Sequence, residues 1–89
     1  MRISVEISKY PLTPDYEPPI IAFIQRLRAE PDIEVLVNTM STHIFGEYEA
    51  VMDALKRCMH PSMTEGYKAS FVLKILNSDL RPDGSGEPV

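Results

Sequence analysis

Eleven consecutive residues, Asn38-Thr39-Met40-Ser41-Thr42-His43-Ile44-Phe45-Gly46-Glu47-Tyr48, concentrate an amide, aliphatic hydroxyls, an imidazole and a carboxylate between a strand-like and a helix-like segment. Neutral Asn, Ser and Thr side chains donate and accept hydrogen bonds, and Glu47 adds a carboxylate at the start of the next helical pattern. This combination suits a small polar ligand, uncharged or cationic, better than it suits acid-base chemistry.

Other chemistries lack their residues. His43 and His60 stand in no HxxxH or CxxC relation to Cys58 or a carboxylate, so no metal site is expected. Ser41 and His43 share one side of an extended chain without the relay geometry that a nucleophile needs. Gly46 stands alone, and Gly84-Ser85-Gly86 follows no buried strand and opens no helix, so neither forms a phosphate loop. No catalytic residue and no cofactor is predicted. Cys58 falls within a helical apolar pattern and reads as a buried structural thiol. Glu6, in the middle of an alternating segment, is either on an exposed sheet face, where Lys74 can pair with it, or turned to a partner that relieves its burial.

The elements that must position these groups follow from periodicity and its breakers. Ile3, Val5 and Ile7 alternate with polar residues, predicting a strand over about 2–10. Pro11 to Pro18 forms a loop, and Pro19 suits the first turn of a helix ending near Glu30, with Ile20, Ile24 and Leu27 on one stripe. A second strand runs from Ile33 to Asn38, with Thr39-Met40-Ser41 as the tight connection. A short third strand covers Thr42 to Phe45, ended by Gly46. From Glu47 onward, Val51, Leu55 and Met59, widened by Met52 and Cys58, mark a second helix that Pro61 stops or kinks, with a short segment around Met63. Lys68 to Leu76 is the fourth strand. The order βαββαβ predicts an α+β, ferredoxin-like sandwich: a four-stranded antiparallel sheet with two helices on one face. One domain is expected over residues 1–80, with a flexible tail over 81–89.

Alternation assigns Ile3, Val5, Ile7, Val35, Val37, Ile44, Phe71, Leu73 and Ile75 to the helix side. The other face carries Ser4, Glu6, Ser8, Leu36, Asn38, Ser41, His43, Phe45, Val72, Lys74 and Leu76, more apolar than a freely solvated sheet face usually is. A homodimer or homotetramer through that face is therefore expected, with Leu36, Phe45, Val72 and Leu76 as its apolar contacts. In 89 residues a single core is modest, which gives association a further purpose. A net charge of −4 argues against a nucleic-acid partner. No apolar run approaches a membrane span and no signal peptide is evident, so a soluble, cytoplasmic protein is expected.

The segment Asn38 to Tyr48, with Ser41-Thr42, then Gly46-Glu47-Tyr48 and Val51-Met52-Asp53-Ala54-Leu55, resembles the YkoF-like proteins that bind thiamine or hydroxymethylpyrimidine. The opening Ile3 to Leu12 and the closing Phe71 to Ile75 are similar as well. The resemblance implies a ferredoxin-like domain that associates through its sheet and binds its ligand without transforming it, in vitamin B1 salvage or transport. Ser41-Thr42 and Gly46-Glu47 match the family pattern best, while Asn38 and Met40 fall on more variable positions. The ligand set implied is Glu6, Asn38, Met40, Ser41, Thr42 and Glu47. An aminopyrimidine needs a donor and an acceptor side by side, as Asn38, Ser41 and Thr42 supply. A thiazolium would favour a carboxylate or an aromatic face, with Glu6, Glu47, Tyr10, Phe45 and Tyr48 as candidates. The alternative is a ligand-free structural or regulatory interaction domain using the same sheet face.

Overall fold

Successive side chains of an extended strand point to opposite faces, and this places Ile3, Val5 and Ile7 together in the core. They belong to β1 (Arg2–Pro11) of a computed structural model that describes residues 1–82. The remaining elements are α1 (Glu17–Arg28), β2 (Glu34–Val37), β3 (Thr42–Glu47), α2 (Tyr48–Met59), a 3₁₀ helix (His60–Thr64) and β4 (Ala69–Leu76). The strands form one antiparallel sheet in the order β2-β3-β1-β4, with both helices packed on one face. This is the expected ferredoxin-like α+β sandwich.

Local chemistry shifts several boundaries. Helix α1 begins two residues before Pro19, because the first-turn amides have no intrahelical acceptor and both Pro18 and Pro19 are tolerated there. Its apolar stripe divides: Phe23 and Leu27 enter the core, while Ile20 and Ile24 stay half-buried at one end of the sheet. Helix α2 contributes Val51, Ala54, Leu55 and Cys58 to the core. Arg26 Nε donates to the Cys58 carbonyl at 3.1 Å, satisfying one of the groups that a helix end leaves without an intrahelical partner. Pro61 stops α2, and the chain continues as the 3₁₀ helix containing Met63.

Gly46 does not end β3. It pairs with Ile3 inside the strand, and a Cβ there would lie 3.1 Å from Val51 Cγ2 and 3.3 Å from the Asp32 carbonyl oxygen. Glycine is needed at this position because α2 and the β2 entry pack closely against the strand, so β3 extends to Glu47.

Beyond β4 the chain folds back over the face that the helices leave open. Ser4 Oγ donates to the Ser78 carbonyl at 2.7 Å and accepts from the Leu80 amide at 2.8 Å. Arg2 pairs with Asp79 at 2.9 Å, and Arg81 bridges Asp79 at 2.7 Å and Glu34 at 3.2 Å. The flexible tail expected from residue 81 thus begins with an anchored arginine; residues 83–89 of it lie outside those described. The contact face also differs from the one expected. Phe45 is only 4% exposed, so it is not available as an apolar contact, whereas Leu36, Val72 and Leu76 remain exposed.

Candidate functional site

The Asn38 amide donates to the Ser41 carbonyl at 2.9 Å, closing the turn between β2 and β3. Thr42 then pairs with Val37 on one side and Ile7 on the other. Strand alternation sends Ser41 and His43 to the open face and Thr42 to the helix side. The sheet therefore divides the polar run into two groups with different surroundings.

On the open face, Ser41 Oγ donates to Glu6 Oε2 at 3.0 Å, His43 Nε2 lies 3.4 Å from the same oxygen, and Lys74 Nζ lies 3.5 Å from Oε1. Asn38 Nδ2 is 3.3 Å from His43 Nδ1, and the His43 ring meets Phe45 edge-on at 6.3 Å between centroids. The Ser41 hydrogen bond holds the Glu6 carboxyl below the usual carboxylate range; Lys74 and His43 act in the same direction, and desolvation opposes them. Ser41 donates to the carboxylate and not to the imidazole, so the trio is not arranged as a nucleophile and its base. A cavity of about 720 Å³ lies here, walled by Leu36, Phe45, Leu76 and Leu80.

On the helix side, Thr42 lines a pocket of about 420 Å³ with Ile7, Tyr10, Tyr16, Ile20, Phe23 and Ile24, while the 38–41 turn forms its rim. Its volume falls within the usual range for small-molecule sites, which are largely apolar with few polar groups. Thr42 is 6% exposed as a residue, and among the described residues its hydroxyl makes no side-chain hydrogen bond; no enclosed side-chain polar atom among them lacks a partner, so this hydroxyl opens onto the pocket. Among the described residues, Lys9 is the one charged residue at this pocket, its side chain fully buried, and no carboxylate lines it. Such a pocket can hold a flat, neutral heterocycle by apolar contact on its faces and a hydrogen bond at one edge.

The expected ligand residues are thus distributed unevenly. Thr42 faces the helix-side pocket. Asn38 and Ser41 stand at its rim, while their polar side-chain groups bond to His43 and Glu6 on the open face. Met40 stands at the tip of the turn, 89% exposed. Glu47 does not join the others: it lies five residues along β3 from Thr42, about 17 Å away, where its carboxylate pairs with the Met1 amino group at 2.9 Å. Alternation carried through Lys9 would have placed that residue on the helix side, and the four-residue spacing of Ile20 and Ile24 marks their shared face. Burial pushes the Cys58 thiol up, in keeping with its expected structural role.

Residues 5–88 match the family model described as thiamine-binding protein. The chain belongs to the thiamine-binding protein family. No functionally curated protein sequence matches it. Among solved structures, it resembles a hypothetical protein of Methanocaldococcus jannaschii, with a TM-score of 0.74 and 21% identity over 84% of this chain and 78% of that one. A Thermotoga maritima protein provisionally assigned to thiamine biosynthesis or salvage gives a TM-score of 0.73 and 20% identity over 84% and 82% of the two chains. A Streptococcus pneumoniae protein gives 0.69 and 22% over 90% of each chain. At these identities the structural likeness establishes the shared fold. Among the described residues no helix is long and apolar enough to cross a membrane.

Proposed function

We propose that this member of the family binds thiamine or its hydroxymethylpyrimidine moiety in the helix-side pocket, without transforming it, in vitamin B1 salvage or transport within the cytoplasm. The observation that carries this reading is the Thr42 hydroxyl, unpartnered in an apolar pocket walled by aromatic rings. A hydroxyl both donates and accepts, so it can meet either the exocyclic amine or a ring nitrogen of an aminopyrimidine. The exposed ring of Tyr16 offers a face to a thiazolium outside the inner part of the site. The polar groups of the open face already bond to one another, so a ligand there must break existing interactions before it makes its own.

Calorimetric titration with thiamine, hydroxymethylpyrimidine and a pyrimidine lacking the exocyclic amine tests this reading. Binding by the first two and a marked loss with the third support it. No heat from any of them contradicts it and favours a ligand-free interaction domain.

The open face supports a second proposal, that copies associate through it as a dimer or tetramer. Leu36, Val72 and Leu76 remain exposed there, a cost that an interface relieves. Sedimentation of Val72→Lys should show a smaller species than the wild type. An unchanged mass would argue against this interface.

A further inference from the structure

Behind the pocket wall, two cations share one carboxylate. The Lys9 side chain is fully buried, and its ammonium donates to Glu65 Oε2 and to the Pro19 carbonyl, each at 3.2 Å. Arg26 Nη2 lies 4.0 Å from Glu65 Oε1 and donates to Ser62 Oγ at 2.9 Å. Tyr67 donates its hydroxyl to the same glutamate. Among these described residues the cluster carries two positive charges against one negative charge. Phe23, which lines the pocket, has both cations near its ring: Lys9 Nζ and Arg26 Cζ each lie 5.9 Å from the ring centroid. Its attraction for positive charge is therefore already directed to the protein's own groups.

We infer that Lys9 and Arg26, sharing Glu65 behind Phe23, set the charge selectivity of this pocket, so that it admits an uncharged aminopyrimidine and keeps a cation out of its interior. This rests on the binding role proposed above and narrows its ligand class. Water screens a field less completely beside low-dielectric apolar walls, so the excess positive charge of this partly buried cluster acts on a cation that enters. Among the described residues no carboxylate in the lining offsets it. A hydroxymethylpyrimidine carries no such charge and meets only the apolar walls and Thr42. Thiamine must leave its thiazolium at the exposed Tyr16, outside the interior.

The test compares thiamine and hydroxymethylpyrimidine by calorimetry on the wild type, Lys9→Met and Lys9→Arg. The thiazolium makes contacts of its own, so the decisive quantity is the change in the ratio of the two affinities. Lys9→Met keeps an apolar stem and leaves Glu65 paired with Arg26 and Tyr67. It should shift the ratio toward thiamine by about threefold to tenfold, the attenuation by Glu65 included. Lys9→Arg keeps the charge and should leave the ratio within twofold of the wild type. A ratio unchanged in Lys9→Met overturns the inference while leaving the binding role intact, as does an equal shift in both variants, which would reflect packing. Binding of neither compound to the wild type overturns the binding role and the inference together. Thermal melting of each variant confirms that folded proteins are being compared.

Discussion

The two sides of the sheet at the β2–β3 turn are built from neighbouring residues and differ in what their polar groups lack. On the open face, Ser41 is bonded to Glu6, Asn38 lies against His43, and Lys74 completes the charge pairing. On the helix side, the Thr42 hydroxyl has no partner among the described residues and opens onto an apolar pocket. A satisfied network fixes structure, whereas a polar group held ready in an apolar enclosure has hydrogen-bonding capacity left for a ligand. The number of polar residues in a cluster is therefore a weaker guide to a binding site than whether those residues already bond to one another.

Changes that remove the pocket wall should have the largest effect. Phe23→Ala deletes a buried ring that packs edge-on against Phe71 at 5.3 Å between centroids, and should cost about 3–5 kcal/mol in denaturant unfolding while abolishing ligand binding. Leu36→Ala on the open face should cost less than about 1 kcal/mol in the same experiment, since its side chain is already partly solvated. Next comes Gly46→Ala at the far end of β3. The new methyl crowds Val51 and the Asp32 carbonyl, so unfolding should reveal a loss of about 1–3 kcal/mol, with ligand affinity little changed in the folded protein. A parallel loss of affinity would mean that the site reaches that end of the strand.

Thr42→Val keeps the side-chain shape and removes the hydroxyl. Calorimetry should show about tenfold weaker binding of hydroxymethylpyrimidine, equivalent to about 1.4 kcal/mol. The smallest effect is expected at Glu6. Glu6→Gln should leave ligand affinity within about twofold, while altering the acid limb of stability. The folded-state pKa of Glu6 is depressed, so its contribution is present above the unfolded value, near the reference 4.5, and is lost as pH falls through the lower folded value. Unfolding measured between pH 6 and pH 3 should therefore fall less steeply in the variant. A large loss of affinity in Glu6→Gln would move the site to the open face.

The architecture was readable because alternation in β1 and the helical stripe of α2 each pointed to one face, with Pro18-Pro19 marking the first turn of α1 and Pro61 the end of α2. The site was readable only in part. Sequence spacing brought Asn38 to Glu47 together as a run, but an extended strand alternates its faces and carries its end far from its start, which separates Glu6 and Ser41 from Thr42 and sets Glu47 at the far end of β3. Phe23 and Tyr16 enter the pocket through the docking of α1 on the sheet, a long-range event that local pattern does not report. The return of the chain after β4 to the open face depends likewise on hydrogen bonds from Ser4 to residues more than seventy positions away.

Methyl-resolved NMR during titration with hydroxymethylpyrimidine tests most directly the claim that the helix side is the binding side. The Ile20, Ile24 and Thr42 methyl signals should shift with added ligand, while those of Leu36 and Leu76 on the open face stay in place. Shifts confined to Leu36 and Leu76 would contradict the account.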